Sequence, residues 1–214
     1  MQYQAVIFDL DGVICFTDEY HYLAWKALAD KLRIPFDRTV NNRLRGVSRM
    51  ASLEIVLEGY TGPALSEEEK KALAEEKNDI YRESLKQMNT ADLSAEVKET
   101  LDELRARGYL LAIGSSSKNT PFILRQIGLE GYFDAVSDGN NITHSKPDPE
   151  VFLKAAEMIS LLPSECLVVE DAHAGVEAAA AGGFDCAAIG DARDDERATW
   201  HLREFEEIIS CLRQ

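Results

Sequence analysis

The stretch YQAVIFDLDG, residues 3–12, joins a short apolar run directly to two aspartates, Asp9 and Asp11. Four more short apolar runs follow it, each bordered by glycine, proline or polar residues. They lie at 109–114, 132–137, 166–170 and 186–190. Helical patterns alternate with these later runs, over 95–107, 119–127, 149–159 and 175–182. Short buried strands alternating with helices predict an α/β fold, a doubly wound parallel sheet with right-handed crossovers.

The interval after the first strand is different, because no second strand is predicted before residue 109. Amphipathic helical patterns fill it, over 21–32, around 41–57 and over 66–86. Ser66 is followed by acidic residues, which is a good signal for a helix N-terminus. A helical insert of this length predicts a second, small domain. We therefore expect an α/β core domain of residues 1–16 and 92–214, and an α-helical cap domain of residues 17–91.

The charge of the chain excludes some classes of partner. Of its 214 residues, 23 are Lys or Arg and 38 are Asp or Glu, which gives a net charge of −15. A surface this acidic repels phosphate backbones and anionic lipids at long range, so nucleic acid and membranes are poor partners. If the substrate is a small anion, basic residues must be concentrated at one place.

The apolar residues and cysteines point to an intracellular protein. No apolar run approaches the ~18 residues that a membrane helix needs, and the first residues lack the basic start and cleavage site of a signal peptide. The four cysteines are scattered without a CxxC pair, as is typical of reduced, buried thiols. We expect a cytoplasmic monomer, since no apolar face beyond the needs of two domains is evident.

Polar clusters follow four of the predicted strands, and ligands of open α/β sheets bind at the carboxyl ends of strands. The clusters are Asp9 with Asp11, residues 115–119, Lys146, and Glu170 with Asp171. Four carboxylates this close cannot all ionise unless cations join them. Lys146 supplies one positive charge, and a divalent ion bound by oxygen atoms, Mg²⁺ in the cytosol, would supply two more. At ~4 Å and an effective dielectric constant near 20, one contact between lysine and carboxylate is worth roughly 4 kcal/mol before desolvation.

These residue types suit phosphoryl transfer. A carboxylate can attack a phosphoryl group to form an aspartyl phosphate. A second aspartate two residues further on can give or take the proton of the leaving or attacking oxygen. Ser115 offers a hydroxyl donor to a phosphoryl oxygen, and a lysine with a metal ion neutralises the other oxygens.

Four segments resemble the motifs of the haloacid dehalogenase-like superfamily, in the right order. They are DLDGVI at 9–14, GSSSKN at 114–119, SKPDPEVF at 145–152 and VVEDAHAGVEAA at 168–179. Three segments of the insert, at 19–28, 43–53 and 75–85, are similar to the β-phosphoglucomutase family within it. The resemblance implies a Rossmann-like core with a mobile helical cap. It also implies interconversion of β-D-glucose 1-phosphate and glucose 6-phosphate through a β-glucose 1,6-bisphosphate, with Mg²⁺.

The resemblance also implies roles for individual residues. Asp9 would be the nucleophile, Asp11 the general acid and base, and His21 the residue that steers the proton of Asp11. Ser115 and Lys146 would contact the transferring phosphoryl group. The metal ligands would be Asp9, Asp11, Glu170 and Asp171, with Asp11 acting through its main-chain carbonyl. The far phosphate would bind Arg49, Ser117, Lys118 and Asn119. The remaining substrate contacts would be Thr17, Trp25, Arg45, Gly46, Val47, Ser48, Ser52, Lys77 and Ser116.

The chain departs from the usual pattern of the family at three places outside the core motifs. Cys15-Phe16-Thr17 stands where Thr-Asp-Thr is usual, Arg45-Gly46 where Lys-Gly is commoner, and Ser94-Ala95-Glu96 replaces a Pro-Gly pair. These changes bear on closure of the cap and on sugar preference.

Two alternatives stay open at this point. A sugar-phosphate phosphatase would share every core residue, with water taking the phosphoryl group. The cap separates the two, since a mutase must hold the far phosphate and exclude water. A non-enzymatic receiver domain would also present acidic residues, a hydroxyl and a lysine, but it needs no helical insert. Taken singly, His21 and Arg49 could also be ordinary helix-surface residues, and Trp25 could belong to the cap core.

Overall fold

The computed structural model describes residues 3–45 and 47–212, and the predicted substrate contact Gly46 lies outside the described residues. Six parallel strands form one sheet in the order β3-β2-β1-β4-β5-β6. They are β1 (Ala5–Phe8), β2 (Leu110–Gly114), β3 (Ala135–Ser137), β4 (Cys166–Glu170), β5 (Asp185–Ala188) and β6 (Trp200–His201). The predicted doubly wound α/β fold is confirmed.

The first strand lies in the middle of the sheet. Phe8 pairs in register with Ile113 of β2 on one side and with Val169 of β4 on the other. All four residues of β1 are buried, and they alternate between the apolar clusters on the two faces of the sheet. The carboxyl ends of β1, β2 and β4 therefore lie side by side, which places their following loops at one edge.

Helices cover both faces of the sheet. One face packs against α5 (Ala95–Ala106), α6 (Thr120–Gln126) and the short α9 (Ile208–Cys211). The other face packs against α7 (Glu150–Met158) and α8 (His173–Ala181). None of the helices that the structure describes is long and apolar enough to cross a membrane.

The described residues of the insert form four α-helices rather than the three that the sequence suggested. They are α1 (Asp18–Lys31), α2 (Arg38–Asn42), α3 (Arg49–Leu57) and α4 (Glu67–Leu85). The helical stretch predicted around 41–57 is interrupted, because Ser48 is extended and its side chain accepts the backbone N–H of Ala51 at 3.2 Å to begin a new helix. Ser66 begins α4 with a reciprocal cap. The backbone N–H of Glu69 donates to the Ser66 hydroxyl oxygen, and the backbone N–H of Ser66 donates to the Glu69 carboxylate.

The insert has an apolar cluster of its own. Its members include Trp25, Leu28, Phe36, Leu53 and Val56. Ala24 of α1, with Tyr81 and Leu85 of α4, belongs instead to the cluster that covers the sheet. The insert is thus packed internally and also anchored to the sheet through α1 and the C-terminal part of α4. The domain bounds 17–91 stay a prediction.

Candidate active site

The loop after β1 places Asp9 beside the side chain of Lys146. The backbone N–H of Asp9 donates to the carbonyl of Val169 at 2.9 Å, which continues the sheet by one residue. Lys146 Nζ lies 2.5 Å from Asp9 Oδ1 and 2.6 Å from Glu170 Oε1, and the lysine is 3% exposed. Gly175 makes room for this arrangement, because a Cβ atom there would collide with the Glu170 carboxylate.

The buried carboxylates are weaker acids than usual. Burial raises the pKa of Asp9 to about 7, although Lys146 opposes the shift. Burial, followed by the charges of Glu170 and Asp9, raises the pKa of Asp171 to about 9. Burial disfavours the charge of Lys146, but the two carboxylates outweigh it and raise the pKa of this lysine above its ordinary value. The cluster thus holds more potential negative charge than Lys146 neutralises.

Asp11 is held by the first residue of the insert. Its carboxylate accepts the backbone N–H of Thr17 at 2.8 Å and a short bond from the Thr17 hydroxyl. The hydroxyl of Tyr81 in turn donates to Thr17 Oγ1 at 3.0 Å. Burial, with the charge of Asp18, raises the pKa of Asp11 to about 6. This carboxyl group is thereby suited to exchange a proton near neutral pH.

His21 faces the same carboxylate. Its Nε2 lies 3.5 Å from Asp11 Oδ2, its Nδ1 lies 2.9 Å from Lys77 Nζ, and its ring stacks on Tyr81 with 3.9 Å between centroids. Burial, together with the charges of Lys77 and Arg49, lowers the pKa of His21 well below its ordinary value. Burial, followed by the charge of Arg49, lowers the pKa of Lys77 to about 7. When Lys77 is charged it can only donate, and a neutral His21 beside it then carries its proton on Nε2, towards Asp11.

Thr17 does not line the cavity, although it was predicted to contact substrate. It is fully buried behind the cavity wall. Its N–H and hydroxyl are both used by Asp11, and its hydroxyl oxygen accepts from Tyr81. The structure therefore places Thr17 as a support for Asp11. A sequence motif could not reveal which wall of the cavity this residue stands behind.

A cavity of about 560 Å³ lies between the insert and the strand ends. Apart from Thr17, every predicted site residue that the structure describes lines it. From the core these are Asp9, Asp11, Ser115, Ser116, Ser117, Lys118, Asn119, Lys146, Glu170 and Asp171, and from the insert they are His21, Trp25, Arg45, Val47, Ser48, Arg49, Ser52 and Lys77. The volume is typical of a small-molecule site.

Some residues of the cavity were not predicted. Glu75 forms an ion pair with Arg49 at 2.6 Å. Asn119 Nδ2 of the core donates to Asn78 Oδ1 of the insert at 3.0 Å. Both lie beside Lys77 on α4, so the helical pattern was a signal that could have located them. Asp191, which follows β5, pairs with Arg45 without lining the cavity. Its position after a strand end was the signal that could have located it.

Arg45 connects the insert to the acidic cluster. Its guanidinium lies 2.8 Å from both Asp171 Oδ2 and Asp18 Oδ2, and it also pairs with Asp191. The Asp171 carboxylate thus accepts a cation from outside the core. Of the two acidic residues at the end of β4, Asp171 has the freer oxygens, because Glu170 already binds Lys146 and the N–H of Ala172.

The residues of this edge fit a hard divalent cation. Asp9 and Asp171 offer carboxylate oxygens, which with main-chain carbonyls are the ligands that Mg²⁺ prefers. Burial, followed by the neighbouring carboxylates, raises the pKa of both groups, and a bound cation would favour their charged forms. Glu170 fits this set less well as a direct ligand, since both its oxygens are engaged. His173, which follows the cluster, pairs with Asp195 at 2.7 Å and does not line the cavity.

The family model described as "Hydrolase: haloacid dehalogenase-like hydrolase" matches residues 3–183, and the chain belongs to this family. Within it, the chain is 40% identical over 188 residues to a beta-phosphoglucomutase of Bacillus subtilis, covering 87% of this chain and 83% of the relative. It is 32% identical over 184 residues to a phosphorylated carbohydrates phosphatase of Thermotoga maritima, covering 85% and 82%. The crystal structure of a beta-phosphoglucomutase from Clostridium difficile has a TM-score of 0.89 and 33% identity, covering 96% of this chain and 93% of that one.

Proposed function

We propose that the protein is a phosphomutase that interconverts β-D-glucose 1-phosphate and glucose 6-phosphate. The observation that carries this proposal is a single cavity with polar groups suited to phosphate at two places. One place is formed by Lys146 and Ser115 beside Asp9, and the other by Arg49 and Lys118. A reaction through a sugar bisphosphate needs both. The proposal is supported by the similarity to beta-phosphoglucomutases from two organisms.

Asp9 is the proposed nucleophile. Lys146 binds one carboxylate oxygen of Asp9 and favours its charged form. The carboxylate attacks phosphorus, the bond from phosphorus to the sugar oxygen breaks, and an aspartyl phosphate forms. Asp9, Asp171 and the main-chain carbonyl of Asp11 would hold Mg²⁺, which would supply positive charge for the phosphoryl oxygens. Ser115, which is 3% exposed at the end of β2, presents its hydroxyl to the same group.

Asp11 is the proposed general acid and base. It gives its proton to the sugar oxygen that leaves phosphorus and takes a proton from the hydroxyl that attacks the aspartyl phosphate. Thr17 and His21 hold the carboxylate in place. Because His21 is paired with Lys77, its ring orientation depends on α4 of the insert. We infer that this link makes Asp11 competent when the insert closes over the cavity.

The second phosphate is assigned to the far part of the cavity. Arg49 and Lys118 supply the charge there, and Ser117 and Asn119 supply polar groups. Arg49 now pairs with Glu75, whose carboxylate is 65% exposed and can turn away when an anion arrives. Holding the sugar hydroxyl in line gives an effective concentration of about 10⁵ M or more, which outcompetes water.

A sugar-phosphate phosphatase is the second candidate. It is favoured by the similarity to the Thermotoga maritima phosphatase. The two functions differ in whether a sugar hydroxyl or water takes the phosphoryl group from Asp9. The deciding experiment supplies β-glucose 1-phosphate and Mg²⁺ with a trace of bisphosphate and follows glucose 6-phosphate against free phosphate. We expect glucose 6-phosphate as the main product, and free phosphate as the main product would favour the phosphatase. We further propose a cytoplasmic monomer.

A further inference from the structure

A groove of about 440 Å³ adjoins the cavity, at the seam between the insert and the loops after β2 and β3. It shares five lining residues with the cavity, namely Arg49, Glu75, Asn78, Lys118 and Asn119. The residues that line the groove alone are Arg82, Pro121, Phe122, Arg125 and Asn140. Because Asp9, Asp11 and Lys146 do not line it, the groove leads to the far-phosphate end of the cavity rather than to the acidic cluster.

The groove is strongly basic in a chain whose net charge is −15. Four of its lining residues are cationic, Arg49, Arg82, Lys118 and Arg125, whereas Glu75 is the one carboxylate among them. Arg125 pairs with Glu130 at 3.1 Å, but both side chains are more than half exposed, so this pair is weak. Within residues 3–45 and 47–212, no carboxylate forms an ion pair with Arg82 or Lys118.

Hydrogen bonds hold the walls of the groove in place. Asn119 of the core binds Asn78 of the insert at 3.0 Å, and Asn140 Nδ2 donates to the carbonyl of Lys118 at 3.0 Å. These bonds hold the loop that carries Lys118, and both Lys118 and Arg49 line the cavity as well as the groove. Cationic side chains therefore line the groove from Arg82 and Arg125 to the residues that it shares with the cavity, Arg49 and Lys118. Glu75 is the single acidic residue in this lining.

We propose that this groove is an outer anion-binding site, which captures the phosphate group of an incoming sugar phosphate before it enters the cavity. The inference rests on the proposed function for the class of substrate, but not on which product forms. Arg82 and Arg125 are the cations that belong to the groove alone. A local cluster of one sign raises the association rate of an oppositely charged ligand by about 10- to 1,000-fold, and ionic strength weakens the effect.

The test compares double variants in a series of ionic strengths. R82S/R125S removes the outer charge, and R82K/R125K keeps it. R107S/R203S removes the same charge from exposed positions that line neither the cavity nor the groove. The measured quantity is kcat/KM for β-glucose 1-phosphate, with glucose 6-phosphate and free phosphate summed. The sum makes the readout independent of the choice between mutase and phosphatase. A second readout that needs no turnover is the rate of glucose 6-phosphate binding to each variant in a D9N background, followed by tryptophan fluorescence.

We expect kcat/KM and the binding rate of R82S/R125S to fall about 5-fold at low ionic strength, with the difference vanishing as salt screens the charges. The lysine double variant and the R107S/R203S control should behave like the parent chain. The proposal is overturned if R82S/R125S and R107S/R203S lose the same factor, or if the loss in R82S/R125S does not depend on salt. If neither glucose 6-phosphate nor free phosphate forms, but the binding rate of R82S/R125S falls with the expected salt dependence, the proposed function is contradicted and the groove is supported.

Discussion

The pKa of Asp171 is raised further above its ordinary value than the pKa of Asp9 or Asp11. Burial and the neighbouring charges of Glu170 and Asp9 raise its pKa to about 9, and its one cationic partner within ion-pair distance among the described residues is Arg45. In an unfolded chain the same group has a pKa of about 4. The folded protein therefore binds this proton more tightly than the unfolded chain, and its stability depends on pH.

The sign of this dependence gives a prediction for D171N. The favourable contribution of the raised pKa is complete below about pH 4 and is lost as pH rises towards about 9. Without metal, D171N should therefore gain stability relative to the parent chain, by on the order of 1 kcal/mol at most for each pH unit in this window. Urea unfolding at several pH values in EDTA measures the difference in the free energy of unfolding.

D191N, which removes the other core partner of Arg45, is the control. If the free energies of unfolding of D171N and the parent chain change with pH in parallel, the prediction is contradicted. Mg²⁺ should stabilise the parent chain but not D171N.

Arg49 separates the two candidate functions at the level of one residue. It lines both the cavity and the adjoining groove, which Asp9 and Lys146 do not line. R49A should lower mutase turnover by about 100-fold or more, because a charged contact to phosphate is lost where water is excluded. Hydrolysis of a small acyl phosphate, which has no second phosphate, should fall much less. R43A breaks an exposed ion pair with Glu58 on the same insert, outside the cavity, and serves as the control. Equal losses in both assays would remove Arg49 from its assigned role.

Helix α4 connects the packing of the insert with the chemistry of the site. Its buried face contains Ala74, Lys77, Tyr81 and Leu85, at spacings of three and four residues. Ala74 packs in the core of the insert, Tyr81 and Leu85 pack in the cluster on the sheet, and Lys77 reaches His21 between them. The same amphipathic pattern that predicts the helix therefore also orders the residues that support Asp11.

The start of α4 offers a test that separates stability from chemistry. Ser66 caps the helix through the N–H of Glu69, and the cap lies at the end remote from Lys77 and Tyr81. S66A should lower the free energy of unfolding by about 1 kcal/mol, with kcat unchanged, because the cap is outside the cavity. S66G should cost only a few tenths of a kcal/mol. Chemical denaturation with activity measured in parallel checks both. A large loss of kcat in S66A would show that the ends of α4 are coupled.

The limits of sequence-based prediction appear at particular elements. β1 to β5 were predictable, because each is a short apolar run bordered by glycine, proline or polar residues. β6 was missed, because it is two residues long with a half-buried Trp200 and an exposed His201, and its pairing with β5 depends on tertiary contacts. The break between α2 and α3 was missed, because a serine cap inside an amphipathic pattern competes with continuation of the helix.

At the scale of the whole molecule, positive and negative charges are unevenly distributed. The protein is strongly acidic, but cations concentrate where the insert meets the strand ends, at Arg45, Arg49, Lys77 and Lys146. The sequence predicted which core residues converge, because parallel strands bring their carboxyl ends to one edge. It could not predict that Thr17 stands behind Asp11 or that Arg45 pairs with Asp171, because both depend on how the insert sits on the sheet.

The central claim is that Asp9 carries the phosphoryl group covalently, and trapping the phosphoenzyme tests it most directly. The protein is mixed with β-glucose 1,6-bisphosphate and Mg²⁺, quenched in acid within a turnover, and its peptides are analysed by mass spectrometry. We predict the mass of one phosphoryl group on the peptide that contains Asp9, and none in D9N or in the presence of EDTA. A phosphoryl group on another residue, or undiminished labelling of D9N, would contradict the account.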